Sequence, residues 1–239
     1  MTNTFPYIPA IWSYGLAGLV FVTFAGMMIF RWRGGTNALV LFCSIVFSAW
    51  WAFSVFAVLL SQNSELWRMA AIADAARISG WLAFLTLLVD GGKSEARFPA
   101  LSFQRLKYFA VPAGLLLVSG LIPPALPWLE ATAGVGGAGA FYALLAVSIF
   151  GLVLCEQLYQ RTPKNRRWAI KPLIIGLAGM FAFDLLIYSG AILFHQIDPA
   201  MWAARGIANA LVIVLVGVAT ARNTAWTVEV LVSRDVVYQ

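Results

Sequence analysis

Seven stretches of this chain are apolar over lengths that a membrane-spanning helix requires, near 8–30, 37–60, 66–89, 106–122, 138–159, 169–194 and 200–221. The hydrocarbon core of a bilayer takes about 20 helical residues to cross, and a backbone without water must satisfy its own hydrogen bonds there. The expected fold is therefore all-α: a polytopic bundle of seven transmembrane helices. Composition agrees, since 62% of the 239 residues are hydrophobic and only 11% are charged, far from the balance of a soluble domain. The first run has no basic residue ahead of it and is too long for a signal-peptide core, so it reads as a retained span.

Charge is distributed by loop. Arg31 and Arg33 follow the first span; Lys93, Arg97, Arg105 and Lys107 follow the third. Arg161, Lys164, Arg166, Arg167 and Lys171 follow the fifth, and Arg222 and Arg234 the seventh. That places thirteen of the sixteen basic residues on one side, against Arg68 alone on the other. The positive-inside rule then puts the amino terminus outside and the carboxyl end in the cytoplasm. The net charge of +6 sets orientation and does not point to nucleic acid. Tryptophans support the register: Trp12, Trp67, Trp128 and Trp202 fall at outer ends, and Trp32, Trp168 and Trp226 at inner ends, where amphipathic rings favour the headgroup level. Trp50, Trp51 and Trp81 lie at mid-depth and read as packing residues, with the lining of a cavity as the alternative.

Two segments differ in kind. The outer stretch from Ile122 to Gly139 carries three prolines and a glycine-rich end and is expected to be extended. Beyond Arg222, Trp226, Val228, Val230 and Val232 alternate with Thr227, Glu229 and Leu231, which suggests a short strand or interfacial segment. Cys43 and Cys155 sit in apolar segments and read as small packing residues.

Charges inside the spans are the candidates for function. An ionised side chain near a bilayer centre costs roughly 3 kcal/mol on insertion scales, so such groups pair, face the bundle interior or do a job. Asp74 and Arg77 lie three apart in the third span, Asp184 and Tyr188 four apart in the sixth, and Arg205 and Asn209 four apart in the seventh. Each set shares a helical stripe, and His195 continues the one begun by Asp184. The connection HQIDPA is short, so the last two spans are antiparallel neighbours and a face-to-face contact of Asp184 with Arg205 is sterically reasonable. Ala204, Gly206, Ala208 and Ala210 provide small-residue spacing for close approach. Glu156, Arg166 and Arg167 belong to the inner interface, where Glu156 is expected to find a basic partner.

The cluster admits three readings: an ion-pair network that only satisfies itself, a site that senses a small ligand, a lipid or a proton, or part of a transport path. Other classes are excluded more firmly. Mid-span lysine for a retinal Schiff base is absent, as are HExxH, a phosphate-binding glycine loop and a Ser/His/Asp arrangement. No catalytic residue, metal site or cofactor is assigned.

The Glu156-Gln157-Leu158-Tyr159 run, Arg166-Arg167-Trp168, Asp184, Tyr188-Ser189 and Asp198-Pro199 form one series with Trp202-Ala203-Ala204-Arg205-Gly206 and Asn209-Ala210. Ala221-Arg222-Asn223 and Ser233-Arg234 extend it, and Ile11-Trp12-Ser13-Tyr14-Gly15 stands at the start of the chain. In these pieces the sequence resembles the amino-terminal membrane region of PrsK-type sensor histidine kinases of the PEP-CTERM/exosortase system in exopolysaccharide-producing Gram-negative bacteria. The resemblance is dense over 154–239 and compositional before that; Lys171-Pro172 is a local departure. It implies a multi-pass protein of the bacterial inner membrane, with residues 1–222 as a sensory domain and 223–239 as a cytoplasmic connector. Further membrane helices, a GAF-type domain and the kinase region would follow. Homodimerisation and a cognate response regulator are implied through that kinase region, which holds the catalytic activity. The rival from another class is a seven-helix transporter of small solutes, which normally shows related halves or broken helices; neither is visible here.

Overall fold

Six of the apolar runs form helices in the computed structural model, which describes residues 7–30, 35–61, 63–89 and 135–222. They are α1 (Tyr7–Phe30), α2 (Thr36–Ser61), α3 (Ser64–Val89), α4 (Val135–Arg161), α5 (Arg167–Phe194) and α6 (Pro199–Arg222). Each is long and apolar enough to cross a membrane, which makes this a multi-pass membrane protein. The expected span at 106–122 and the alternating segment after Arg222 lie outside the described residues. Part of the expected outer loop is corrected: residues 135–139 are already helical and open α4, the apolar run that follows carrying the helix back through glycines that by themselves disfavour it.

The helices close into a ring in chain order, with α6 returning to pack on α1. Its surface is apolar, and its mostly apolar core encloses a small set of polar and charged groups. Leu19, Phe30, Leu193, Phe194 and Leu211 are exposed, whereas Arg77, Asp184, Arg205 and Asn209 are buried. That arrangement is stable where the surroundings are hydrocarbon and the interior polar groups pair with one another.

Local chemistry fixes the ends that matter. Asp198 starts α6: its Oδ1 accepts from the backbone N–H groups of Ala200 at 2.7 Å and Met201 at 3.2 Å, with Pro199 in the first helical position. α5 ends at His195, which adopts a left-handed conformation at φ 54°. Near the start of α5, Pro172 has no N–H to give to the carbonyl of Trp168 four residues earlier. Arg222, at the end of α6, donates to that carbonyl at 3.5 Å and places its guanidinium 3.9 Å over the Trp168 ring.

Of the small residues of α6, Gly206 makes the expected close helix approach, and its neighbour is α1. A Cβ on Gly206 would meet Ser13 Oγ at 2.5 Å and the Ser13 backbone at 2.7 Å, so this glycine admits α1, not α5. Ser13 Oγ accepts from the backbone N–H of Ile207 at 2.9 Å and seals the contact. Ala204 is exposed. On the other side of the bundle, Gly151 of α4 makes room for the ring of Phe181 in α5.

Candidate functional site

Three helices each bring a pair of polar side chains, one turn apart, to the same interior point. α3 supplies Asp74 and Arg77, α5 supplies Asp184 and Tyr188, and α6 supplies Arg205 and Asn209. The four charges make a closed quartet, in which each arginine touches each acid. Arg205 Nε reaches Asp184 Oδ1 at 2.7 Å, and its Nη1 reaches Asp74 Oδ2 at 2.9 Å. Arg77 Nη2 lies 2.7 Å from Asp74 Oδ1 and 3.2 Å from Asp184 Oδ2. The quartet carries no net charge. Such compensation allows four ions to share an interior that would strongly disfavour any one of them alone.

Neutral partners complete it. Arg77 Nη1 donates to Asn209 Oδ1 at 2.6 Å and to Met180 Sδ at 3.5 Å, while its Nε donates to Asp74 Oδ1 at 2.9 Å. Nη2 donates to Asp184 Oδ2 at 3.2 Å, so all three nitrogens of this guanidinium have acceptors. Asn209 is held in turn, donating from Nδ2 to the carbonyl of Arg205 at 2.8 Å. Arg205 Nη2 donates to Asp184 Oδ2 at 3.1 Å and to the Tyr188 hydroxyl at 2.9 Å.

Trp51 of α2 forms the floor. Arg77 Cζ lies 4.2 Å and Arg205 Cζ 5.1 Å from the ring centroid, so one indole serves both cations. Tyr14 of α1 packs edge-on to Trp51 at 5.2 Å and donates its hydroxyl hydrogen to the Trp202 carbonyl at 3.0 Å. Trp202 stacks on Trp67 at 5.8 Å. Trp202 is one turn before Arg205, and Trp67 two turns before Asp74, so this aromatic pair bridges α6 and α3 above the quartet. Asp74 is its least enclosed corner, 18% exposed, against 1% for Asp184 and 0% for Arg77.

Comparison with known proteins returned no matching family model, curated protein or solved structure. The reading of the site therefore rests on its geometry.

That geometry joins all six residues expected of the cluster, Asp74, Arg77, Asp184, Tyr188, Arg205 and Asn209. Asp184 and Arg205 are in direct contact, and each charge also has a second partner. His195 is not part of the group: it is exposed at the end of α5. Trp51 and Tyr14 were missed as site residues, and Trp51 serves the cations besides packing. Of the other mid-depth tryptophans, Trp81 is buried and donates from Nε1 to Ser48 Oγ at 3.1 Å, whereas Trp50 is 37% exposed on the apolar surface.

The inner-interface residues do not assemble as expected. Glu156 accepts from Gln160 Nε2 at 2.7 Å, one turn along the same exposed helix face, and among the described residues it has no basic partner. Arg167 instead donates to the Thr162 carbonyl at 3.0 Å and covers the Tyr159 ring at 4.7 Å. Arg166 occupies the N-cap of α5 without a capping side-chain bond. Among the described residues, no three His, Cys, Asp or Glu side chains group to hold a metal ion. Both quartet acids are held by two guanidiniums each, an arrangement suited to holding helices in register and not to moving protons to a substrate.

Proposed function

We propose that this chain is the membrane signal-input region of a sensor histidine kinase of the PrsK type, inserted in the bacterial inner membrane with seven spans, its amino terminus outside and its carboxyl end in the cytoplasm. The observation that carries the reading is the closed quartet. It ties three helices through four charged contacts, each ion keeping a second partner if one contact is lost, and a packed interior of that kind changes between discrete packings instead of deforming smoothly. An input that weakens one corner favours another arrangement of α3, α5 and α6. Asp74 is the corner nearest the surroundings. The asymmetric loop charge, with Arg161, Lys164, Arg166, Arg167, Lys171 and Arg222 at one end of the described bundle and Arg68 at the other, supports the orientation. The resemblance over residues 154–239 supports the kinase output, with homodimerisation and a response regulator acting through that region.

The test has two parts. In a background lacking Cys43 and Cys155, a cysteine at Gln196 is labelled from outside and one at Asn165 is not; the reverse pattern overturns the orientation. In the full-length protein, the double change Asp184→Asn with Arg205→Gln inserts normally but no longer responds. A normal response from that variant, or substrate-dependent current through the wild-type protein in proteoliposomes, overturns the sensor reading, the latter in favour of a transporter.

A further inference from the structure

The opposite end of the bundle from the Trp67–Trp202 stack carries a second concentration of charge that the quartet does not use. Arg161, Lys164, Arg166, Arg167 and Lys171 run from the end of α4 into the start of α5, and Arg222 at the end of α6 joins them through Trp168. Among the described residues of this end Glu156 is the one acid, and it is tied to Gln160. Arg161 donates to the Val89 carbonyl at 3.2 Å, and Arg167 to the Thr162 carbonyl. Arg161, Lys164 and Arg166 are exposed, as are Lys171 and Arg222, and the last two flank Trp168, which is 67% exposed.

Two helix faces lead away from this point. On α5, Trp168, Lys171 and Ile175 stand at helical spacing, and Ile175 is 53% exposed. On α6, Arg222 continues the stripe of Val218, Val214 and Leu211, all exposed. Adjacent helices thus present apolar side chains that run up to a cation on each, with an indole between the cations. A soluble acidic partner would meet the charges but could not reach the two apolar stripes, which face hydrocarbon. An anionic amphiphile matches both.

We propose that the α5–α6 edge is a docking site for an anionic phospholipid, whose headgroup phosphate sits between Arg222 and Lys171 beside Trp168 and whose acyl chains follow the Ile175 and Val218 stripes. Pro172 is part of the device. By leaving the Trp168 carbonyl without its helical donor, it gives Arg222 an anchor that holds the guanidinium over the ring, with its remaining N–H groups free to meet a phosphate. The site joins the end of α6 to the start of α5, so a bound lipid holds these two helix ends together. This inference stands independently of the signalling reading.

Native mass spectrometry of the purified full chain, released from nanodiscs containing phosphatidylglycerol and phosphatidylcholine, tests it. The wild type is expected to retain phosphatidylglycerol in preference. Removal of a surface cation weakens the interaction by roughly 1 kcal/mol, about fivefold, so Arg222→Gln and Lys171→Gln each lower phosphatidylglycerol retention by that factor. Arg68→Gln, at the other end of the molecule, leaves it unchanged. Lys171 is exposed, and among the described residues no hydrogen bond or ion pair holds it, so its variant remains informative if Arg222→Gln impairs folding. Equal retention of the two lipids by the wild type, an unchanged preference in Lys171→Gln, or displacement of the lipid by inorganic phosphate at comparable concentration would each overturn the proposal; the last would mark a general anion site instead.

Discussion

Arg205 holds Asp184 with two parallel hydrogen bonds, Nε to Oδ1 at 2.7 Å and Nη2 to Oδ2 at 3.1 Å, although the two residues belong to different helices. This bidentate geometry is the strongest form of the arginine–carboxylate contact. It makes the consequences of substitution asymmetric. Asp184→Asn leaves the quartet with one excess positive charge and Arg205→Gln with one excess negative charge. Breaking one half of a buried pair costs about 3–5 kcal/mol, whereas removing both charges is close to neutral. The Asp74–Arg77 pair that survives in the double variant is itself neutral. Thermal denaturation of the purified proteins should therefore rank the double variant above either single one.

The neutral members of the site are predicted to differ from each other. Asn209→Ala takes away the acceptor 2.6 Å from Arg77 Nη1, leaving a buried cationic donor unmatched, at a cost of about 1–3 kcal/mol. Tyr188→Phe removes only one of several acceptors around Arg205 Nη2, so its cost should be nearer 1 kcal/mol. A larger loss in Tyr188→Phe than in Asn209→Ala, measured by thermal denaturation in detergent, would contradict this account of how the guanidiniums are satisfied.

These contrasts mark what was legible in the sequence. Asp74, Arg77, Asp184 and Arg205 announce themselves because ions are rare in apolar helices, and periodicity put their neighbours Tyr188 and Asn209 on the same stripes. The short Phe194-to-Pro199 connection made the Asp184 contact with Arg205 foreseeable. Periodicity within one helix says nothing about which stripe of α3 faces which stripe of α6, so the cross-links that close the quartet were beyond it. Trp51 was hidden for a different reason: an indole in an apolar run looks the same whether it packs against leucine or against two guanidiniums. Gly206 signalled a close approach without naming α1 as the partner. At the other end, Glu156 lay among basic residues and still turned to Gln160, since exposed charges at a helix end have many alternatives of nearly equal energy.

Trp51 is predicted to matter beyond its volume. Trp51→Leu keeps an apolar side chain but removes the ring face beneath Arg77 and Arg205, while Trp51→Phe keeps a smaller face in place. Cation–π contacts of desolvated cations are worth about 2 kcal/mol. Trp51→Phe should accordingly lose less thermal stability than Trp51→Leu. Equal losses would assign Trp51 to packing alone.

The most direct test of the central claim, that four charges on three helices act as one unit, is the coupling between Asp74 and Arg205, which are 131 positions apart in sequence and 2.9 Å apart in the fold. A double-mutant cycle with Asp74→Asn and Arg205→Gln, read by thermal denaturation of the four purified proteins, measures it. The closed quartet predicts that the double variant is destabilised by clearly less than the sum of the two single changes, because the Arg77–Asp184 pair left behind carries no net charge. Strict additivity would show instead that Asp74–Arg77 and Asp184–Arg205 are separate ion pairs, and would contradict the account.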